Sequence, residues 1–268
     1  MGYSYEVVDY QSFGAQLLDT YDLDPLYVIL ANSDWPESTM KRFMLAYWIF
    51  YSAGVACRCA ERSGNSFYKA LYAEDMAHAP RGHERRHMRG QAFIDTVSGL
   101  HNYGSPEKVV DAMTNGNDFQ SISAAAQSFR GFGPWIAWKI ADMTERVLQR
   151  SVDFSNAEIG VYRDPVKGAA LIRFGDQHHP ITRDELHETF AVLQSDFDNY
   201  VAPPYADRKV NIQELETIAC KYKSHVNGHY PPGNDTLEIM HGLHGCGDLA
   251  SCLEYWLTPY YELWRNND

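Results

Sequence analysis

No apolar run in this chain is long enough to span a bilayer. The most apolar stretch, Phe43–Cys57, is interrupted by Tyr47, Tyr51, Ser52 and Gly54, and reads as the central buried helix of a soluble core. The opening residues Met1–Tyr10 are polar and acidic, without the pattern of a secretory signal. Cysteine is scarce: Cys57, Cys59, Cys220, Cys246 and Cys252 make an odd set that fits no disulfide framework, which points to a reducing compartment. Positive charge is in deficit, with a formal net charge of −12, which argues against nucleic acid unless the cations are concentrated in one patch. Repeats, low-complexity tracts and clear linkers are also missing and strand punctuation barely appears, so the expectation is an all-α chain packed as a single helical unit over residues 1–268. An apolar fraction of 45% is enough for a sizeable core and excludes a disordered tail.

What is present is helix punctuation. Ser105-Pro106-Glu107 is an N-cap, a first-turn proline and an early acid, predicting a helix through Met113. Thr182 with Glu185 makes a capping box ahead of Leu186, Phe190, Leu193 and Phe197, and Asn211 precedes Ile212, Leu215, Ala219 and Tyr222 on one face. Asp235 and Asp248 mark two further starts, so a C-terminal helical part is expected over about 180–268. Between Asp153 and His179 proline, glycine and charges break the pattern; the short apolar runs Ile159–Tyr162 and Ala169–Phe174 fit strand or irregular structure, and the stretch reads as a connecting region.

The stretch Phe129–Asp142 carries the most information. Gly131 and Gly133 flank Phe132, which allows a tight turn with positive φ, and Pro134 then opens a helix with Ile136, Ile140, Met143 and Val147 as its buried stripe. Backbone N–H groups of such a turn at a helix N-terminus suit a phosphate oxygen, and Lys139 lies one turn further on. An ordinary αα-hairpin would need no more than this. The pattern nevertheless resembles the hairpin of the helix–hairpin–helix DNA glycosylase superfamily, which implies a glycosylase-like helical fold with the motif at about 118–150. That resemblance also implies a catalytic aspartate beyond the hairpin, and Asp153 lies twenty residues after Gly133, at the family interval. Lyases of the superfamily keep a lysine two residues after the second glycine. Trp135 stands there, so Schiff-base chemistry at that position is not expected.

His78–Gly90 holds Arg81, Arg85, Arg86 and Arg89 with three histidines and one acid, Glu84, and reads as an anion site. If helical, Arg81, Arg85 and Arg89 would form one cationic ridge. Lys223 and His225 sit where a helix gives way to a glycine turn. They suit phosphate binding or proton transfer, or equally the complementing of a helix dipole. His241, His244, Cys246 and Cys252 match no standard zinc spacing, so no metal site is expected.

Together the Arg81–Gly90 segment, the hairpin at Gly131–Asp142 with Met143–Val147, and Ser224–Asp235 resemble one family from about Arg42 onward, the α-glutamyl/putrescinyl thymine pyrophosphorylases of bacteriophages, or amino acid:DNA transferases. The resemblance implies an enzyme of the infected bacterial host's cytoplasm. Its substrate would be double-stranded DNA in which a 5-hydroxymethyluracil is phosphorylated or pyrophosphorylated, and the amine of an amino acid or polyamine displaces that group. No membrane and no cofactor is implied, with Mg²⁺ left open. The chemistry asks for cations at the departing phosphate (Arg85 and Arg86), with Arg81 or Arg89 holding the backbone or the amino-acid carboxylate. It asks for a base for the ammonium nucleophile (Asp153 or Glu84), and for an apolar wall, for which Trp135, Trp138 and Tyr162 are candidates. A monofunctional DNA N-glycosylase and a non-catalytic DNA-binding module are the alternatives.

Overall fold

The computed structural model describes residues 5–265, so Met1–Ser4 of the opening stretch lie outside it. It is all-α, and no strand occurs among the described residues. In chain order the helices are α1 (Tyr10–Asp19), α2 (Pro25–Ala31), α3 (Glu37–Phe50), α4 (Ala53–Ala60), α5 (Gly64–Met76), α6 (Gly90–Tyr103), α7 (Pro106–Met113), α8 (Phe119–Gln127), α9 (Pro134–Arg146), α10 (Arg163–Phe174), α11 (Arg183–Asp196), α12 (Ile212–Val226), α13 (Asn234–Leu243) and α14 (Asp248–Trp264). None of these is long and apolar enough to cross a membrane.

Several helices begin where a side chain satisfies their first amides. Ser105 caps α7, with Pro106 in the first turn. Thr182–Glu185 and Asn211–Glu214 form reciprocal capping boxes on α11 and α12. Two expectations are corrected. Phe43–Cys57 is not one helix, because Tyr51 takes the left-handed conformation (φ 51°) and separates α3 from α4. The region read as a connection contains a full helix, α10, and the apolar run Ile159–Tyr162 opens on a short 3₁₀ turn. Its apparent breakers are compatible with that helix. Pro165 lies in the first turn, where its missing N–H costs nothing. A Cβ on Gly168 would stand 2.0 Å from the Ala219 carbonyl oxygen, so glycine lets α10 and α12 pack backbone to backbone.

The chain forms two compact units. One comprises the residues up to Val28, Ala157–Leu237 and the stretch from Tyr260; the other comprises Ile29–Asn156 and Glu238–Pro259. The first is built on Phe13, Leu17, Phe190, Leu193, Phe197, Leu215 and Ile218, all buried. It also buries a carboxylate completely. Asp22 accepts from the Gly233 amide (2.8 Å), the Thr236 amide (3.0 Å) and the Thr236 hydroxyl (2.7 Å), tying the loop after α1 to the start of α13. The second unit has an aromatic core of Trp48, Phe43, Phe50, Phe67 and Phe93, against which Ile136, Ile140 and Met143 of α9 are also buried.

Candidate functional site

The second unit carries the hairpin. α8 ends at Gln127 and α9 starts at Pro134, so six residues make the turn. Gly131 has φ +85°, and a Cβ there would come within 2.4 Å of Thr96 Oγ1 and 2.7 Å of Met88 Cε, so this position requires glycine. Gly133 does not share that requirement. It is extended (φ −88°, ψ −176°) with open space around it, so Gly131 alone of the two supplies the positive φ of the turn. Phe132 is buried between them.

The arginine segment is not a helix. Pro80 and Gly82 interrupt it, only His83–Arg85 close into a 3₁₀ turn, and the ridge of Arg81, Arg85 and Arg89 does not form. Arg81 is turned inward onto the Phe50 ring (4.7 Å) and pairs with Asp75. Arg85 is 2% exposed; its Nε donates to the Ile49 carbonyl (3.3 Å) and its Nη1 to the Gly131 carbonyl (3.0 Å), with the Phe132 ring 5.5 Å away. Burial, helped by the neighbouring charge of Arg81, lowers its pKa to about 10, which leaves it charged at neutral pH. Arg86, Arg89 and Glu84 are exposed. The structure therefore joins the arginine segment to the hairpin through Arg85, with Arg86 and Arg89 as the cations facing solvent.

Asp153 lies elsewhere in the same unit. Its amide donates to the Asn117 carbonyl and its carbonyl accepts from the Phe119 amide, both at 2.8 Å, in a parallel bridge with Asp118. Its exposed carboxylate accepts from the Ser155 amide (2.8 Å) and hydroxyl (2.9 Å), which fixes its orientation. Asp118, the N-cap of α8, is held ionised by the Ser121 hydroxyl and the Asn156 amide, which lower its pKa to about 2. Residues paired in a parallel bridge project side chains to the same side, so the two side chains leave the backbone together, Asp153 turned onto Ser155 and Asp118 onto Ser121 and Asn156. Behind them Phe119, Trp138 and Phe154 pack ring on ring, with centroids 5.0–5.6 Å apart. Sequence reasoning missed Asp118, whose only signal is the Asp-x-x-Ser cap.

α8 separates the two clusters. Its nine residues, at about 1.5 Å each, put roughly 13 Å between the carboxylates at its start and the hairpin beyond its end. Arg85 and Asp153 are thus not brought to one reacting atom. Lys139 is buried in α9 with Asp142 Oδ2 at 3.7 Å, and so does not extend the hairpin's exposed surface. Trp135, half-buried, packs its ring on Tyr51 (4.9 Å).

Lys223 and His225 belong to the other unit. Lys223 pairs with Asp164 at 2.8 Å. His225 is fully buried between the Tyr5 and Phe13 rings; its Nε2 accepts from the Val8 amide (3.2 Å), so Nδ1 carries the proton donated to the Tyr230 carbonyl (3.0 Å). Burial lowers its pKa, and with both nitrogens occupied the ring has no edge left for phosphate. Tyr162 is likewise buried in that unit, and burial raises its phenol's pKa.

The family model for amino acid:DNA transferases matches residues 15–230, most of the chain and all of the hairpin, arginine and Asp153 regions. A glycinyltransferase of Pseudomonas phage PaMx11 is 37% identical over 266 residues, covering 89% of this chain and 91% of the relative. A putrescinyltransferase of Delftia phage PhiW-14 is 25% identical over 248 residues, covering 90% and 80%. With a family match of this extent and a relative this similar along nearly its whole length, the chain is a transferase of DNA modification and belongs to the amino acid:DNA transferase family.

Proposed function

We propose that the substrate is a thymine of duplex DNA carrying a phosphorylated or pyrophosphorylated 5-hydroxymethyl group, and that the donor is the amine of a small amino acid or polyamine. The reaction takes place in the infected host, since the relatives are phage proteins. The observation carrying this reading is the arrangement around α8: the exposed, oriented carboxylate of Asp153 at its start, with the half-buried Asp118 bridged to it, and a cation-backed glycine turn beyond its end. Charge decides the division of labour. Two carboxylates at one place attract an ammonium and repel phosphate, so Asp153 and Asp118 receive the donor amine, while the turn, with Arg86 and Arg89, faces the DNA backbone. Glu84 and Arg86 flank Arg85, the residue that reaches the hairpin, and in this reading they serve the DNA side and not the donor amine.

In the step itself Asp153 takes the proton from the donor ammonium. The freed nitrogen lone pair forms the C–N bond to the 5-methylene, and the C–O bond breaks with its electron pair leaving on the phosphate oxygen. The 5-methylene of a paired thymine projects into the major groove, and extrusion of the nucleotide carries it from there into an enclosed pocket in this reading. The name of the 37% identical relative makes glycine the first donor to test. Incubation with duplex containing phosphorylated 5-hydroxymethyluracil and a pool of amino acids and polyamines, followed by nucleoside mass spectrometry, should show a single aminated thymidine. Unchanged nucleosides with every donor would overturn the assignment.

A further inference from the structure

Arg85 is a buried cation without a buried anion. It is 2% exposed, meets no carboxylate among the described residues, and its Nη2 has no hydrogen-bond partner. Its neighbour Arg81 has Asp75. Uncompensated buried charge is costly and is retained where something offsets it. Here the guanidinium spans two elements, reaching the carbonyl at the end of α3 through Nε and the hairpin carbonyl of Gly131 through Nη1. Holding the Gly131 carbonyl inward leaves the following amides on the outer side. Those of Gly133 and Trp135 donate to no backbone carbonyl, and Gly133 and Pro134 are exposed at the N-terminus of the thirteen-residue α9. Those donors, the helix dipole and the guanidinium beneath all favour one anion at one place.

We propose that Arg85 is a positioning residue that pins the glycine turn and lends it a fixed positive charge, so that the turn takes a single DNA backbone phosphate and not the departing phosphate of the reacting thymine. This rests on DNA being the substrate, but not on which base is modified or which amine is transferred. Arg85→Met keeps much of the stem's apolar volume and removes charge and fork together. Arg85→Lys keeps the charge with a single donor group. Three quantities separate the roles: Kd for unmodified duplex across a salt series, KM and kcat for transfer, and Tm.

For Arg85→Met the expected result is a Kd about tenfold higher, a log Kd against log salt slope smaller by about one, a KM raised in proportion, and kcat within about threefold of wild type. Arg85→Lys should recover the slope but only part of the affinity. A large fall in kcat with Kd and slope unchanged would place Arg85 at the reacting group and overturn the proposal; so would unchanged Kd, slope and KM. If the methionine variant does not fold, Arg85→Lys decides alone, since wild-type slope with Kd raised about threefold supports the pin and wild-type Kd contradicts it. Should no modified thymine be aminated by the wild-type protein, the duplex-binding series still reads the role of Arg85, and the two failures remain distinct.

Discussion

Asp153→Asn should reduce amine transfer by roughly a hundredfold or more, the scale of losing an acid–base group, with Tm and duplex affinity close to wild type. The structure makes this substitution a clean discriminator. Asp153 is exposed, and its side chain caps the turn at Ser155. Asparagine retains a carbonyl oxygen for the Ser155 amide, and the two residues rank together as caps. What the amide cannot do is accept a proton from an ammonium group. A stable variant with near wild-type turnover would therefore return Asp153 to turn capping, whereas a stable and nearly inactive one places the carboxylate at the chemistry. Single-turnover rates against donor concentration check it, since an effect on the chemical step persists at saturating donor.

The largest effect on stability is expected at Asp22, in the unit that holds none of the groups assigned to the chemistry. Asp22→Ala strands the Gly233 and Thr236 amides in a buried setting, and each unsatisfied donor costs about 1–3 kcal/mol, so a loss of about 3–5 kcal/mol follows. For a chain of this size that is a fall in Tm on the order of 10 °C. The effect carries a pH signature. Burial pushes the Asp22 carboxyl up to about 6, above its ordinary 3.8, so the folded state holds the proton more tightly than the unfolded state does. Its contribution is fully present below about pH 4 and is lost as pH rises through about 6. The gap between wild type and Asp22→Ala should be wider at pH 5 than at pH 8, and Asp22→Asn should remove this group's part of the slope. Thermal melts of the three proteins at both values check the sign, and a gap that widens with pH would contradict it.

Helix starts were legible in the sequence because caps act locally: Ser105, Thr182 with Glu185, and Asn211 each satisfy amides within three residues. The hairpin was legible for the same reason, since Gly131 and Pro134 declare a turn and a first turn of helix. Features set by distant neighbours were not. α10 was hidden because Gly168 reads as a breaker until the Ala219 backbone is seen against it. The break at Tyr51 carries no glycine to announce it. His225 looked like a helix-end cation, and only the flanking rings of Tyr5 and Phe13 place it in the core. The arginine cluster was visible as composition, but which guanidinium turns inward depends on carbonyls at Ile49 and Gly131, 36 and 46 residues away. Asp118 became a candidate only through its bridge to Asp153.

The central claim is that one C–N bond to the thymine methylene forms as one C–O bond to phosphate breaks, with the glycosidic bond untouched. The direct measurement supplies duplex carrying phosphorylated 5-hydroxymethyluracil with ¹⁵N-labelled glycine. It then quantifies label in the digested nucleosides, released phosphate, and abasic sites. The account predicts one released phosphate (or pyrophosphate, if that is the group installed) for each ¹⁵N incorporated, and no abasic sites above background. Free base and abasic DNA without nitrogen label would instead make the protein a glycosylase and contradict the account.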